Sequence, residues 1–234
     1  MEIEHKNQNN NNFDEIIESF EIDYVYGNKA IKRSIDQKII ETKQSSLENL
    51  KKQILKISDC ELKKHAKNLV FNDGDPQSQI MIVGEGPGQK EDQMGRPFVG
   101  DAGMLLNRML EAINVKRAKV YITNVVNYRP PNNRKPDPLE INRYSEFLRE
   151  HINIINPKIL ILMGSTAMEA LFGKNLKISQ ERGKWKEVII NKKTYQTILT
   201  FHPAYLLRQP DQKKYSWADL KMIRNRIDEL KLRI

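Results

Sequence analysis

Apolar positions in this chain fall into two rhythms. Continuous runs occur at Ile80-Met81-Ile82-Val83, at residues 120–126 (VYITNVV) and at residues 159–163 (ILILM). Each has the length of a strand buried in a sheet. Helical spacing fills the intervals. Leu105, Leu106, Met109, Leu110 and Ile113 share one face, as do Leu139, Ile141, Tyr144, Leu148, Ile152 and Ile155. Upstream, Ser45 or Ser46 is placed to cap a helix running to about Ile57, with Leu47, Leu50, Ile54 and Ile57 on its stripe. Gly164-Ser165 leads into a helix over residues 166–172. Trp217, Leu220, Ile223, Ile227, Leu230 and Ile234 mark a last helix. A short strand is expected at Leu69-Val70-Phe71. A hairpin is expected around Asn191-Lys192-Lys193, with arms over residues 188–190 and 195–201. Strands alternating with helices predict a three-layer α/β/α sandwich around a mainly parallel sheet.

The leader reads differently. Asn7 and Asn9 to Asn12 lie in a polar tract expected to be disordered, and residues 13–26 read as a loose helix. Residues 1–44 are therefore expected to be an N-terminal extension, and residues 45–234 one domain. Charge follows the same division. The formal net charge is +9, yet the first 50 residues hold six Lys/Arg against ten Asp/Glu. The remainder holds 33 basic and 20 acidic residues. A basic body with an acidic leader suggests a polyanionic partner such as nucleic acid, although a merely basic soluble protein has the same balance. No apolar run has the length of a membrane span, and no secretory leader is visible. Cys60 is the single cysteine, which excludes an internal disulfide and fits a reducing cytoplasm.

Candidate chemistry lies where the strands end. After Val83 the chain breaks at Gly84-Glu85-Gly86-Pro87-Gly88. A second glycine-bounded loop, Gly95-Arg96-Pro97-Phe98-Val99-Gly100, carries one aromatic ring. In open α/β sheets, ligands sit beyond the carboxyl ends of the strands. A tight structural turn is the plain alternative. The glycine spacing does not match a dinucleotide fingerprint, and no Gly-Lys-Ser/Thr follows, so a P-loop is excluded. Asn124 interrupts an apolar strand; its amide either serves neighbouring backbone or reads a ligand. The proline- and asparagine-rich segment 127–136 is basic and irregular. His202-Pro203 follows another strand, where a structural turn is again the common explanation. Together, an aromatic plate, an amide and an imidazole make the minimum set for holding a planar base.

These segments closely resemble the family 4 uracil-DNA glycosylases. The matching pieces are Gly84-Glu85-Gly86-Pro87-Gly88 with Glu91-Asp92, then Gly95-Arg96-Pro97-Phe98-Val99-Gly100. They continue with Tyr121-Ile122-Thr123-Asn124-Val125-Val126, Arg129-Pro130-Pro131, Asn133-Arg134, and His202-Pro203-Ala204-Tyr205-Leu206-Leu207-Arg208. The resemblance runs from about Ile57 to the C-terminus. It implies a DNA-repair hydrolase that flips uracil from DNA and cleaves its N-glycosidic bond; since base flipping needs one pocket and one DNA groove, a monomer is expected. Phe98 would stack on the base, Asn124 would read O4 and N3–H, and His202 would stabilise the departing anion. Gly84, Gly86 and Gly88 would line the pocket, and Glu91 would help exclude the thymine methyl. Leu206 or Leu207 would wedge into the duplex, while Arg129, Arg134 and Arg208 would contact phosphates. Related families place an acid where Gly86 stands, so Glu85 is the nearest carboxylate for positioning water.

The resemblance also implies a [4Fe–4S] cluster on four cysteines, at positions occupied here by Ile57, Cys60, Tyr128 and Tyr144. One thiolate cannot hold four irons, so no cluster is expected. The larger side chains are expected to fill its volume, leaving Cys60 as a buried thiol. A non-catalytic DNA-binding or repair-scaffold protein on the same fold is the competing expectation.

Overall fold

The computed structural model describes residues 31–233. The expectations for residues 1–12 and 13–26 lie outside the described residues. The compact unit Thr42–Ile234 holds every candidate site residue.

Strand β1 is Asp73–Gly74, β2 Ile80–Gly84, β3 Tyr121–Asn124, β4 Ile159–Met163, β5 Trp185–Ile190 and β6 Lys193–Thr200. They form one sheet in the order β1-β3-β2-β4-β6-β5. The four inner strands run parallel, and the two edge strands are antiparallel to their neighbours. β2, β3 and β4 are buried along their whole length, as parallel strands covered on both faces must be.

Period two sorts their side chains. Met81, Val83, Tyr121, Leu160, Leu162 and Leu199 enter one apolar cluster. Ile80, Ile82, Ile122, Ile159, Ile161 and Ile198 enter the other. Helices cover both faces. The first cluster receives Leu47, Leu50 and Ile54 from α1 (Ile31–Leu55) and Leu62 from α2 (Glu61–His65). It also receives Ile141, Tyr144, Leu148 and Ile152 from α5 (Pro138–Ile155) and Met168 and Leu171 from α6 (Ser165–Phe172). The second receives Leu106, Met109 and Leu110 from α4 (Asp101–Glu111), Leu206 from α8 (Pro203–Arg208), and Leu220, Ile223 and Ile227 from α9 (Lys213–Glu229). The short helices α3 (Gln89–Met94) and α7 (Ile178–Glu181) complete the set. This is the expected α/β/α sandwich. No helix among the described residues is long and apolar enough to cross a membrane.

Several local expectations are corrected. Ser45 and Ser46 lie inside α1, not at its cap. Leu69-Val70-Phe71 is not a strand. Its backbone is tied instead by the Val70 N–H donating to Asn127 O and by the Thr123 hydroxyl donating to Phe71 O. The glycine loop is followed at once by α3, which the sequence pattern did not show because six residues carry too little periodicity. Leu139 is 80% exposed and Trp217 45% exposed, so neither belongs to its helix's buried stripe. The hairpin turn narrows to Asn191-Lys192, both at positive φ, which suits a two-residue turn between twisted strands.

Topology puts the parallel strands' carboxyl ends at one edge. β3 lies on one side of β2 and β4 on the other, so the chain reverses direction across the sheet there. Loops on either side of such a point splay apart and leave a crevice.

Candidate active site

That crevice is a cavity of about 930 Å³, lined among others by Glu85, Phe98, Asn124, Ser165, His202 and Arg208. Its size suits a small organic ligand. Four strand ends contribute to it. Parallel register sets Gly84 beside Asn124 on β2 and β3. The N–H of Gly164, after β4, donates to Thr200 O of β6 at 2.9 Å, which brings the next two loops together. Phe98, Asn124 and His202 therefore meet in one cavity.

Asn124 is 3% exposed, and no hydrogen bond among the described residues uses its side-chain amide. A buried amide facing a cavity without protein partners is available to a ligand. Phe98 adopts a left-handed backbone conformation, φ 53°, unusual for an aromatic residue. Its ring centroid lies 5.4 Å from that of His202. Gly84 does not line the cavity. It lies behind Asn124 and Phe98, where a Cβ would fall 2.4 Å from Asn124 Oδ1 and 2.6 Å from the Phe98 ring. Gly86 and Gly88 line the wall directly.

His202 caps α8, with Pro203 at the first helical position. The Ala204 N–H donates to His202 Nδ1 at 3.2 Å. An accepting Nδ1 leaves the proton of a neutral ring on Nε2. Burial, with the Arg208 charge as a second cause, pushes the imidazole down to about 4. The ring is thus neutral at pH 7, with its proton on Nε2.

Glu85 lines the cavity and accepts a 2.5 Å hydrogen bond on Oε2 from the Thr166 hydroxyl in the first turn of α6. Its other oxygen has no hydrogen bond among the described residues. Glu91 is nearly buried and serves the Phe98 loop. Its Oε1 accepts the Val99 N–H at 2.9 Å and the Gly100 N–H at 2.7 Å.

Residues grouped as DNA contacts differ in burial and in partners. Leu206 is 1% exposed and packs in the core, whereas Leu207 is 44% exposed. Of the two wedge candidates, only Leu207 is free to leave the protein surface. Arg208 lines the cavity, as does Arg134. The Arg134 guanidinium makes a two-pronged pair with Glu140, at 2.7 and 2.6 Å, and Arg129 Nε donates to Asn133 Oδ1. Glu140 belongs to the capping box of α5, so Arg134 fastens its loop to that helix.

Of the four positions where the resemblance implies cluster ligands, three lie in one apolar cluster and the fourth packs against it. Cys60 Sγ lies 3.5 Å from the Tyr144 hydroxyl, Tyr128 shares the same apolar cluster, and Ile57 packs against it. The Tyr128 hydroxyl is buried with no partner among the described residues, and burial raises its pKa.

Thr166 and Arg117, both tied to site residues, had no distinguishing mark in the sequence. Thr166 sits in an apolar helix, and Arg117 stands among other cations.

The comparisons with known proteins agree with this geometry. The family model described as "Uracil DNA glycosylase superfamily" matches residues 71–223. A type-4 uracil-DNA glycosylase of Thermotoga maritima is 42% identical over 168 residues, 71% of this chain and 86% of the relative. Proteins of the same name from Sulfurisphaera tokodaii and Archaeoglobus fulgidus are 41% and 37% identical, each over 76% of this chain and over 84% and 92% of their own lengths. With the cavity, the strand-end residues and these likenesses together, the chain belongs to the uracil-DNA glycosylase superfamily.

Proposed function

We propose that this protein excises uracil from DNA by hydrolysing the N-glycosidic bond, leaving an abasic site. The observation that carries this reading is the shared cavity of Phe98, Asn124 and His202. A uracil rotated out of the stack would lie against the Phe98 ring. The Asn124 amide would donate to O4 and accept from N3–H. Cytosine presents a donor at the first position and an acceptor at the second, so it would meet both Asn124 groups with the wrong polarity. The His202 Nε2–H would donate to O2. As the C1′–N1 bond breaks, its electron pair passes into the uracil ring and charge gathers on O2. A neutral donor at that position would stabilise the charge. Water attacks C1′. Glu85, which accepts a hydrogen bond from Thr166, would orient that water and take its proton.

Leu207 supplies the wedge that fills the vacated stack, and Arg208 a phosphate contact at the cavity. Opening the duplex costs a few kcal/mol, which such contacts offset. Arg129 lies outside the cavity lining, whereas Arg134 lines it with its guanidinium paired to Glu140. One active site per chain is sufficient, and we infer a monomer.

The reading assigns no iron–sulfur cluster. Cys60 is the one thiol where four thiolates are needed. The Tyr144 hydroxyl and the Tyr128 ring occupy the space beside it. Purified protein is expected to carry no stoichiometric iron and no absorption band near 400 nm.

The deciding assay uses a single-stranded oligonucleotide with one uracil, followed by alkali. Strand cleavage at uracil that is lost in His202→Ala is expected. A protein that binds this DNA without cleaving it would instead be a non-catalytic member of the superfamily.

A further inference from the structure

The loop that presents Phe98 is held by two opposite charges, one on its carbonyls and one on its amides. Arg117 Nη2 donates to Pro97 O at 2.8 Å and Nη1 to Phe98 O at 3.0 Å. The next two residues turn their N–H groups the other way, to the Glu91 carboxylate. The left-handed backbone at Phe98 lies where the two sets meet. Gly103 of α4 allows this path, because a Cβ there would fall 1.9 Å from Phe98 O.

Arg117 has no donor to spare. Its Nε and Nη2 both donate to Asp73 Oδ2, at 2.9 and 2.7 Å, and Nη1 also donates to Asn107 Oδ1 at 3.0 Å. Five N–H groups thus meet four acceptors through five bonds. Asp73 is paired with Ile122 of β3, so the guanidinium is referenced to the sheet that carries Asn124. Arg96 Nη2 donates to the other oxygen of Asp73 at 2.9 Å. The Arg117 side chain is 20% exposed and that of Asp73 15%, and neither residue lines the cavity. A cation confined in this way is poorly placed to meet DNA. Its neighbours Lys116 and Lys119 make it look in the sequence like one more surface charge.

We propose that Arg117, aimed by Asp73, is a positioning residue for base excision: it fixes the Phe98 ring relative to Asn124 by holding the Pro97 and Phe98 carbonyls. The inference rests on the glycosylase reading and adds a residue that touches neither base nor DNA. A lysine can keep the charge but cannot span Asp73 and two carbonyls with one planar fork.

The experiment compares wild type, Arg117→Met, Arg117→Lys and Asp73→Asn on the uracil oligonucleotide, with thermal melting and backbone hydrogen exchange over residues 97–103. In folded Arg117→Met, kcat is expected to fall roughly tenfold to a hundredfold, as small misplacements of a reacting group do. KM for the oligonucleotide is expected to stay within about threefold, since binding of DNA is not what the residue supplies. Arg117→Lys is expected to recover part of kcat, and exchange at Val99 and Gly100 to quicken in both. A folded Arg117→Met with wild-type kcat overturns the proposal, as does an equal rise in KM with kcat unchanged. If Arg117→Met does not fold, Asp73→Asn takes its place with the same expectations. If wild type itself leaves uracil untouched, the glycosylase reading falls, and unchanged exchange over residues 97–103 in the variants then overturns the clamp separately.

Discussion

Gly84 and Asn124 are register partners on adjacent parallel strands, and the missing side chain of the first makes room for the amide of the second. The same gap admits the edge of the Phe98 ring. One hydrogen atom in place of a methyl thus sets the spacing between the plate and the amide.

Gly84→Ala is therefore expected to displace Asn124 and Phe98 while leaving the sheet in place. Overpacking of this kind costs about 1–3 kcal/mol, but the loss of excision is expected to be larger, roughly a hundredfold in kcat/KM. Single-turnover kinetics beside a denaturation curve make the comparison. Near-normal excision in a folded Gly84→Ala protein would refute the convergence of the two groups.

Leu206 and Leu207 give opposite expectations from adjacent positions. Leu206→Ala removes a buried side chain and is expected to lower stability by about 2–5 kcal/mol in chemical denaturation. Leu207→Ala is expected to leave stability unchanged and to slow excision from double-stranded more than from single-stranded substrate. An effect of Leu207→Ala that is equal on both substrates would deny it the wedge role.

Two histidines give the protein a pH dependence with a definite sign. Burial takes His151 down to about 3, where its Nε2 meets the Tyr121 hydroxyl at 2.6 Å, and His202 sits at about 4. Both titrate near about 6.5 in the unfolded chain. Between those values the unfolded state binds more protons, so this stability is complete above about 6.5 and is lost as pH falls toward the folded values. The denaturation midpoint is expected to drop between pH 7 and pH 5, with a shallower slope in His151→Gln. The excision rate is expected to show no His202 inflection near 6.5. A midpoint that rises on acidification would contradict neutral rings at both positions.

Glu85→Gln tests the water-orienting carboxylate, and Thr166→Val the hydroxyl that holds it. Both are expected to slow single-turnover excision, the first by roughly 10²-fold, within the usual range for a positioned base, and the second by less. An unchanged rate in Glu85→Gln would remove that residue from the chemistry.

Much of this was legible beforehand. The strand at residues 159–163 agrees with the structure to the residue, because a run buried on both faces needs no partner information to be recognised. Glu85, Phe98, Asn124 and His202 all line the same cavity, since each stood at a strand end or in the glycine loop beside it. Trp217 shows the limit. It satisfies the helical period of α9, yet the buried face passes through Ser216, Asp219, Leu220 and Ile223 instead. Asp219 is fully buried because Arg182 and the Thr200 hydroxyl both donate to it, and periodicity cannot register a polar residue made acceptable by distant partners.

The order of the core strands and longer helices, the residue types at each strand end and the lack of thiols for a cluster were determined by the amino-acid sequence, because burial patterns and chemical inventories are local properties. Which leucine of the pair is free, which nitrogen of His202 carries the proton, and that Arg117 serves the Phe98 loop were decided by the tertiary structure. Hydrogen bonds are short and directional, and their partners here come from elements brought together only by strand register and helix packing.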